Sequence, residues 1–223
     1  MTNPLTAPRG APIIAVSNLV KQFGRFTALR GVNAEFDAGK FYVILGDNGA
    51  GKTTLLRALA GLTDPTRGEI SILGKKPHEA SRDLGYMAHP SLLYDEMSGR
   101  ENLRYFARLY DIAGDSRSDE VIRAVRLDPE LARPVGQYSQ GMRQRMSLAR
   151  AILHDPRVLL LDEPFSNVDA HSAREMVALL RGMRDAGKTI FVVTHQALLL
   201  EGVPLKDPAA FVQRLNRVLN QSI

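Results

Sequence analysis

Apolar residues fall into short runs through the first part of the chain, each bounded by glycine, proline or charged residues. Residues 13–23 and 26–36 read as two strands. Phe41-Tyr42-Val43-Ile44-Leu45 is short and nearly all apolar, as a buried strand should be. A helix is predicted over 51–60, ended by Gly61-Leu62-Thr63-Asp64-Pro65. Residues 69–73 alternate as a further strand, and 84–88 make one more. The periodicity then changes to a helical one over 101–110 and again over 118–126, with no strand expected from about 91 to 136. A third amphipathic helix is predicted over 140–153. Val158-Leu159-Leu160-Leu161 is a strand too apolar to face water, 173–186 a helix ended near Gly187, and 189–193 another buried strand. The pattern is an α/β core with a helical block inserted into it. No internal repeat or low-complexity segment interrupts it.

Composition narrows the classes. At 223 residues the chain makes one large domain, or a domain with a sub-domain, and can bury a substantial core. It has no cysteine, so disulfides and thiolate metal sites are excluded, which fits a reducing compartment. Residues 1–12 hold three prolines and no apolar segment of the kind a signal peptide needs; they read as a loose tail. No apolar run approaches the roughly 18 residues that a spanning helix requires. The net charge is +5, but the basic residues are spread without a long block, which favours a solvated surface over a nucleic-acid interface.

Between the third strand and its helix lies Gly46-Asp47-Asn48-Gly49-Ala50-Gly51-Lys52-Thr53-Thr54. It fits the phosphate-binding pattern G-x-x-x-x-G-K-S/T in the strand–loop–helix setting the motif needs. Its glycines let backbone N–H groups wrap an anion, and the following helix adds the positive end of its dipole. Lys52 is expected to reach the β- and γ-phosphates, and the Thr53 hydroxyl to ligate Mg²⁺. Downstream, Val158-Leu159-Leu160-Leu161-Asp162-Glu163-Pro164 ends a buried strand in two carboxylates, where open α/β sheets place ligands. Asp162 is expected to hold Mg²⁺ through water, and Glu163 to orient or deprotonate the attacking water. Ser139-Gln140-Gly141-Met142 precedes the helix 140–153. By itself it reads as a serine N-cap, with a second anion site as the alternative.

Taken in order, these motifs resemble the nucleotide-binding domain of the ATP-binding cassette (ABC) ATPases over residues 13–195. The family's phosphate loop corresponds to 46–54. Its signature sequence aligns with Tyr138-Ser139-Gln140-Gly141-Met142, and its acidic strand with 158–164. Its following D-loop aligns with Ser166-Asn167-Val168-Asp169, and its switch histidine with His195 in Val192-Val193-Thr194-His195. The resemblance implies a mainly parallel core sheet, an N-terminal antiparallel β sub-domain and a helical sub-domain at about 90–155, all within 13–203. It implies ATP and Mg²⁺ as ligands, and two cassettes, identical or paired with a second ATPase subunit, packed head to tail. Ser139 and Gly141 would then act in trans on the partner's γ-phosphate. His195 would sense that phosphate, and Asp169 would link the two sites. The family's usual partner is an integral-membrane permease, which places the chain peripherally on the cytoplasmic face of the membrane.

Three departures qualify this likeness. Phe23 stands where the family sets an aromatic against adenine, and lacks the hydroxyl of the usual tyrosine; stacking alone tolerates any purine. His89 replaces the usual glutamine that contacts Mg²⁺ or the attacking water. Imidazole titrates near neutral pH, so a steeper loss of activity in acid is expected. The family's closing strands are not evident in the extension 204–223. His89-Pro90-Ser91-Leu92-Leu93-Tyr94-Asp95, with the helix 101–110, also resembles the haem-exporter ATPase of cytochrome c biogenesis. Drug, lipid and polysaccharide exporters share similar stretches. Soluble ABC proteins acting on nucleic acid or ribosomes would bring a second cassette or a long coiled-coil insertion. A nucleotide-binding regulator without turnover fits poorly with Lys52, Asp162, Glu163 and His195 all present.

Overall fold

The computed structural model describes residues 10–46 and 49–194. Asp47, Asn48, His195 and the extension 204–223 therefore lie outside the described residues. In chain order the first half holds β1 (Ile14–Phe23), β2 (Phe26–Phe36), β3 (Phe41–Ile44), α1 (Lys52–Leu59), β4 (Arg67–Ile72) and β5 (Leu84–Met87). The helices α2 (Gly99–Leu109), α3 (Ser116–Ala124) and α4 (Gln140–Ile152) follow, then β6 (Val158–Asp162), α5 (Ala170–Asp185) and β7 (Thr189–Val193).

Two sheets result. The antiparallel one has the order β2-β1-β4, and the parallel one the order β3-β7-β6-β5. Every residue of β6 and β7 is buried, which explains their unbroken apolar sequences. Because successive side chains point to opposite faces, β6 serves two cores at once. Leu159 and Leu161 join a cluster with the helices α2 to α5, whereas Val158 and Leu160 join one with α1 and the antiparallel sheet. Phe191 anchors the second core, with its ring edge-on to Phe36 at 4.8 Å and stacked on Tyr42 at 4.9 Å. Each such fully buried side chain contributes about 1.5–3 kcal/mol by leaving water.

The register of the parallel sheet decides where the chemistry sits. Val193 pairs with Ile44 on one side and Asp162 on the other. The start of the phosphate loop and the acidic pair thus emerge from the same edge, with β7 between them.

Three helices begin earlier than their periodicity suggests: α3 at Ser116, and α2 and α5 because of a cap. Ser98 and Glu101 form a reciprocal capping box, so α2 starts at Gly99. Asp169 accepts from the backbone N–H groups of His171 and Ser172 at 3.0 and 2.9 Å, so α5 starts at Ala170. The segment entering α2 is held by Asn102, which is wholly buried. Its Oδ1 accepts from Tyr94 N at 2.8 Å, and its Nδ2 donates to the carbonyls of Tyr94, Met97 and Ser98. Among the described residues no helix is long and apolar enough to cross a membrane.

Candidate nucleotide site

A cavity of about 1130 Å³ opens at the C-terminal edge of the parallel sheet. It is lined by Gly46, Gly49, Gly51, Lys52, Thr53 and Thr54 on one side and by His89, Asp162 and Glu163 on the other. Residues far apart in sequence therefore meet where the strand ends gather. Ala50 belongs to the same loop but is not part of the lining.

The loop can take this path only with glycine at key points. Gly51 has φ +85°, and a Cβ there would meet the Ala28 carbonyl oxygen of β2 at 2.5 Å. Both the left-handed backbone and the close approach exclude a side chain. Lys52, 7% exposed, turns back over the loop and donates from Nζ to the Gly46 carbonyl at 2.6 Å. An ammonium is thereby held at the start of α1, where the positive end of the helix dipole favours an anion.

Across the cavity, the Thr53 hydroxyl donates to Asp162 Oδ1 at 3.1 Å. This bond ties the first turn of α1 to the end of β6. Asp162 is 1% exposed. Burial raises its carboxyl above the ordinary range, opposed by the Thr53 bond; the charge of Glu163 adds to the rise, while His89 and Lys52 oppose it. A hydroxyl beside a carboxylate is a hard oxygen pair of the kind Mg²⁺ accepts while keeping several waters and substrate phosphates as its other ligands. Thr53 and Asp162 thus fit the cation. His89 is exposed on the same lining. Among the described residues no three His, Cys, Asp or Glu side chains converge into a protein-only cage.

Glu163 has φ +51°, a backbone conformation rare outside glycine and costing about 1–3 kcal/mol. Its N–H donates to the Val193 carbonyl at 2.8 Å, which extends the β6–β7 pairing through the strained residue. The strain turns the chain so that Glu163 joins Asp162 in the cavity wall.

The remaining expected residues fall elsewhere. Ser139 caps α4, its Oγ accepting from Met142 N at 3.3 Å, so the ordinary capping reading holds. Ser139, Gly141 and Asp169 line a second cavity of about 600 Å³ that shares no lining residue with the first. Phe23 is 52% exposed at the end of β1, which lies in the middle of its sheet, and does not line the nucleotide cavity. Its cross-strand partner Phe26, 58% exposed, does. The Gly24-Arg25 pair between two apolar runs was the available sign of a two-residue hairpin that sets these rings opposite each other. Tyr86 also lines the cavity; burial, with the Asp162 charge, pushes its hydroxyl up to about 12, so it remains a proton donor at neutral pH. Only the end of a buried strand, one position before an apolar Met87, signalled it.

A family model described as ABC transporter matches residues 29–166. The bacitracin transport ATP-binding protein BcrA of Bacillus licheniformis is 37% identical over 188 residues, 82% of this chain and 61% of that protein. The sulfate/thiosulfate import ATP-binding protein CysA of a Synechocystis strain is 38% identical over 189 residues, 82% of this chain and 53% of that protein. The chain thus spans about half to three fifths of the length of these relatives. Among solved structures, a dimeric post-hydrolysis state of an ATP-binding cassette bound to ADP and Pi superposes with a TM-score of 0.75 at 27% identity, covering 83% of this chain and 89% of that one.

Proposed function

Because the chain belongs to the ABC transporter family of ATP-binding domains, we propose that it binds and hydrolyses ATP to drive a separate membrane permease from the cytoplasmic face. The observation that carries this reading is the convergence of Lys52, Thr53, Asp162 and Glu163 on one cavity, with Thr53 bonded to Asp162. The cassette would be residues 13–203, with its helical sub-domain at about 90–155.

In this reading the backbone of 46–54 wraps the phosphates, and Lys52 leaves the Gly46 carbonyl for the β- and γ-phosphate oxygens. Thr53 and Asp162 would hold Mg²⁺, which would supply charge neutralisation at the phosphates. Glu163 aligns the attacking water and takes its proton. The rest is positioning and fixed electrostatics around an in-line displacement. Ser139, Gly141 and Asp169 face a cavity of their own, which supports their action on the nucleotide of a second, head-to-tail copy or a paired ATPase subunit. His195 would sense the γ-phosphate, a role that rests on its place in the motif order. The exposed apolar residues Leu92, Tyr94, Tyr105 and Leu109 support a permease contact on the helical block.

The finer reading, haem as cargo, rests on 89–95 and on the helix 101–110. The relatives described above are named for bacitracin and for sulfate or thiosulfate, so the cargo needs its own experiment. Glu163→Gln is expected to bind ATP and nearly abolish turnover. Membranes solubilised gently with ATP, with that chain tagged, should yield an integral-membrane partner. A haem absorption band in the complex favours haem export, and its absence favours another exported compound. Wild-type turnover by Glu163→Gln, or capture of soluble partners or nucleic acid alone, refutes the proposal.

A further inference from the structure

Beside the second cavity, one carboxylate joins three segments of the chain. Glu175, one turn past Ser172 on α5, accepts from Arg126 Nη1 through Oε1 and from Arg145 Nη2 through Oε2. His171 adds its ring, with Nε2 3.6 Å from Oε1. Arg145 lies one turn past Gly141 on α4, and Arg126 follows α3. The side chains of Arg145 and Glu175 are 15% and 22% exposed, so this is not a freely solvated surface pair. The Arg145 hydrogen bond, aided by the nearby charges, holds the Glu175 carboxyl below its ordinary range.

The same segments wall the cavity that Ser139 and Gly141 face. A Cβ on Gly141 would stand 3.7 Å from Ser172 Oγ, so the start of α4 rests against the first turn of α5. Asp169 caps that turn. Glu175 and Arg145 meet about one turn beyond this contact on both helices. Moving either helix along the other must stretch this bond, and Arg126 braces it from the side.

We propose that Glu175 is a positioning residue for the phosphate site of a second copy: by pairing with Arg145 and Arg126 it sets Ser139 and Gly141 relative to Asp169. This rests on the shared-site reading given above. Glu175 lines neither cavity. It acts through the two groups that this chain offers to its partner, where misplacement by about 1 Å can cost as much as 100-fold in rate.

Mixed dimers from two differently tagged copies test this. Each dimer carries one Glu163→Gln and one Glu175→Gln. With both substitutions on the same chain, the site that keeps Glu163 is completed by the altered chain's Ser139 and Gly141. With the substitutions on opposite chains, that site is completed by a chain with Glu175 intact. We expect kcat to be lower by about tenfold in the first arrangement, with KM little changed. Both dimers contain the same two changes, so any loss of folding lowers both alike. Ser139→Ala in the same two arrangements is the control. If Ser139→Ala separates the arrangements and Glu175→Gln does not, the role of Glu175 is refuted while the shared site stands. If neither separates them, the shared site fails and this inference fails with it.

Discussion

Replacing Thr53 by valine removes one hydroxyl while keeping the shape of the side chain. In the structure that hydroxyl donates to Asp162 Oδ1 at 3.1 Å, and Asp162 is almost wholly buried. A hydrogen bond to a charged group contributes about 1.5–3 kcal/mol. If the same oxygen passes to Mg²⁺ when nucleotide enters, a comparable loss appears in the transition state. That energy corresponds to a fall in kcat/KM of about 10- to 150-fold. Thr53→Ser keeps the oxygen and should stay within about threefold of the unaltered protein, since the methyl group it loses is on an exposed residue. Steady-state phosphate release at varied ATP, with Mg²⁺ in excess and then with chelator, gives both parameters. The valine variant should lose most of its Mg²⁺-dependent gain in ATP affinity. Equal activity of the valine and serine variants, or a valine variant with unaltered kcat/KM, would refute the assignment of Thr53 and Asp162 to the cation.

Three further outcomes follow from the geometry. Asn102→Ala strips four hydrogen bonds from the buried entry to α2; urea unfolding should show a loss of about 2–4 kcal/mol, and a loss below about 1 kcal/mol would refute the bracing role. His154 stacks on Tyr110 at 3.9 Å, bonds Leu84 O through Nε2 and keeps Nδ1 buried without a partner among the described residues, and burial lowers its pKa from 6.5. Above 6.5 neither state binds the proton; below it the unfolded chain does so first, so stability should fall with acid, and His154→Phe should flatten that slope by up to about 1.4 kcal/mol per pH unit. An unchanged slope would count against the burial argument. Phe26→Ala should raise KM for ATP more than Phe23→Ala, because Phe26 lines the cavity and Phe23 does not; the reverse order would return the base platform to Phe23.

The buried strands were legible because an apolar run has one physical use in a doubly covered sheet. The phosphate loop and acidic pair were legible because glycines and carboxylates at strand ends have few other uses. Helix starts were less so: the periodicity begins at 101 and 173, and it is the Ser98–Glu101 box and the Asp169 cap that carry the helices back to Gly99 and Ala170. Phe26 and Tyr86 escaped because their place depends on hairpin register and on what a strand end faces. Glu175 escaped for a different reason. Its partners lie 30 and 49 positions away in the chain, and no local period records such a pairing. Pairing of charged side chains from separate helices is decided by packing, after the helices exist.

The two-sided burial of β6 has a consequence for how such a chain can change over time. Any residue placed at Leu159 or Leu161 must suit the helices, while its neighbours at Val158 and Leu160 must suit the opposite layer. A substitution that shifts the strand to relieve one layer disturbs the other, and it carries Asp162 and Glu163 along with it. Tolerated variation should therefore gather on the outer faces of the helices. The strand that delivers the carboxylates should be among the slowest parts of the molecule to drift, quite apart from any selection on the carboxylates themselves.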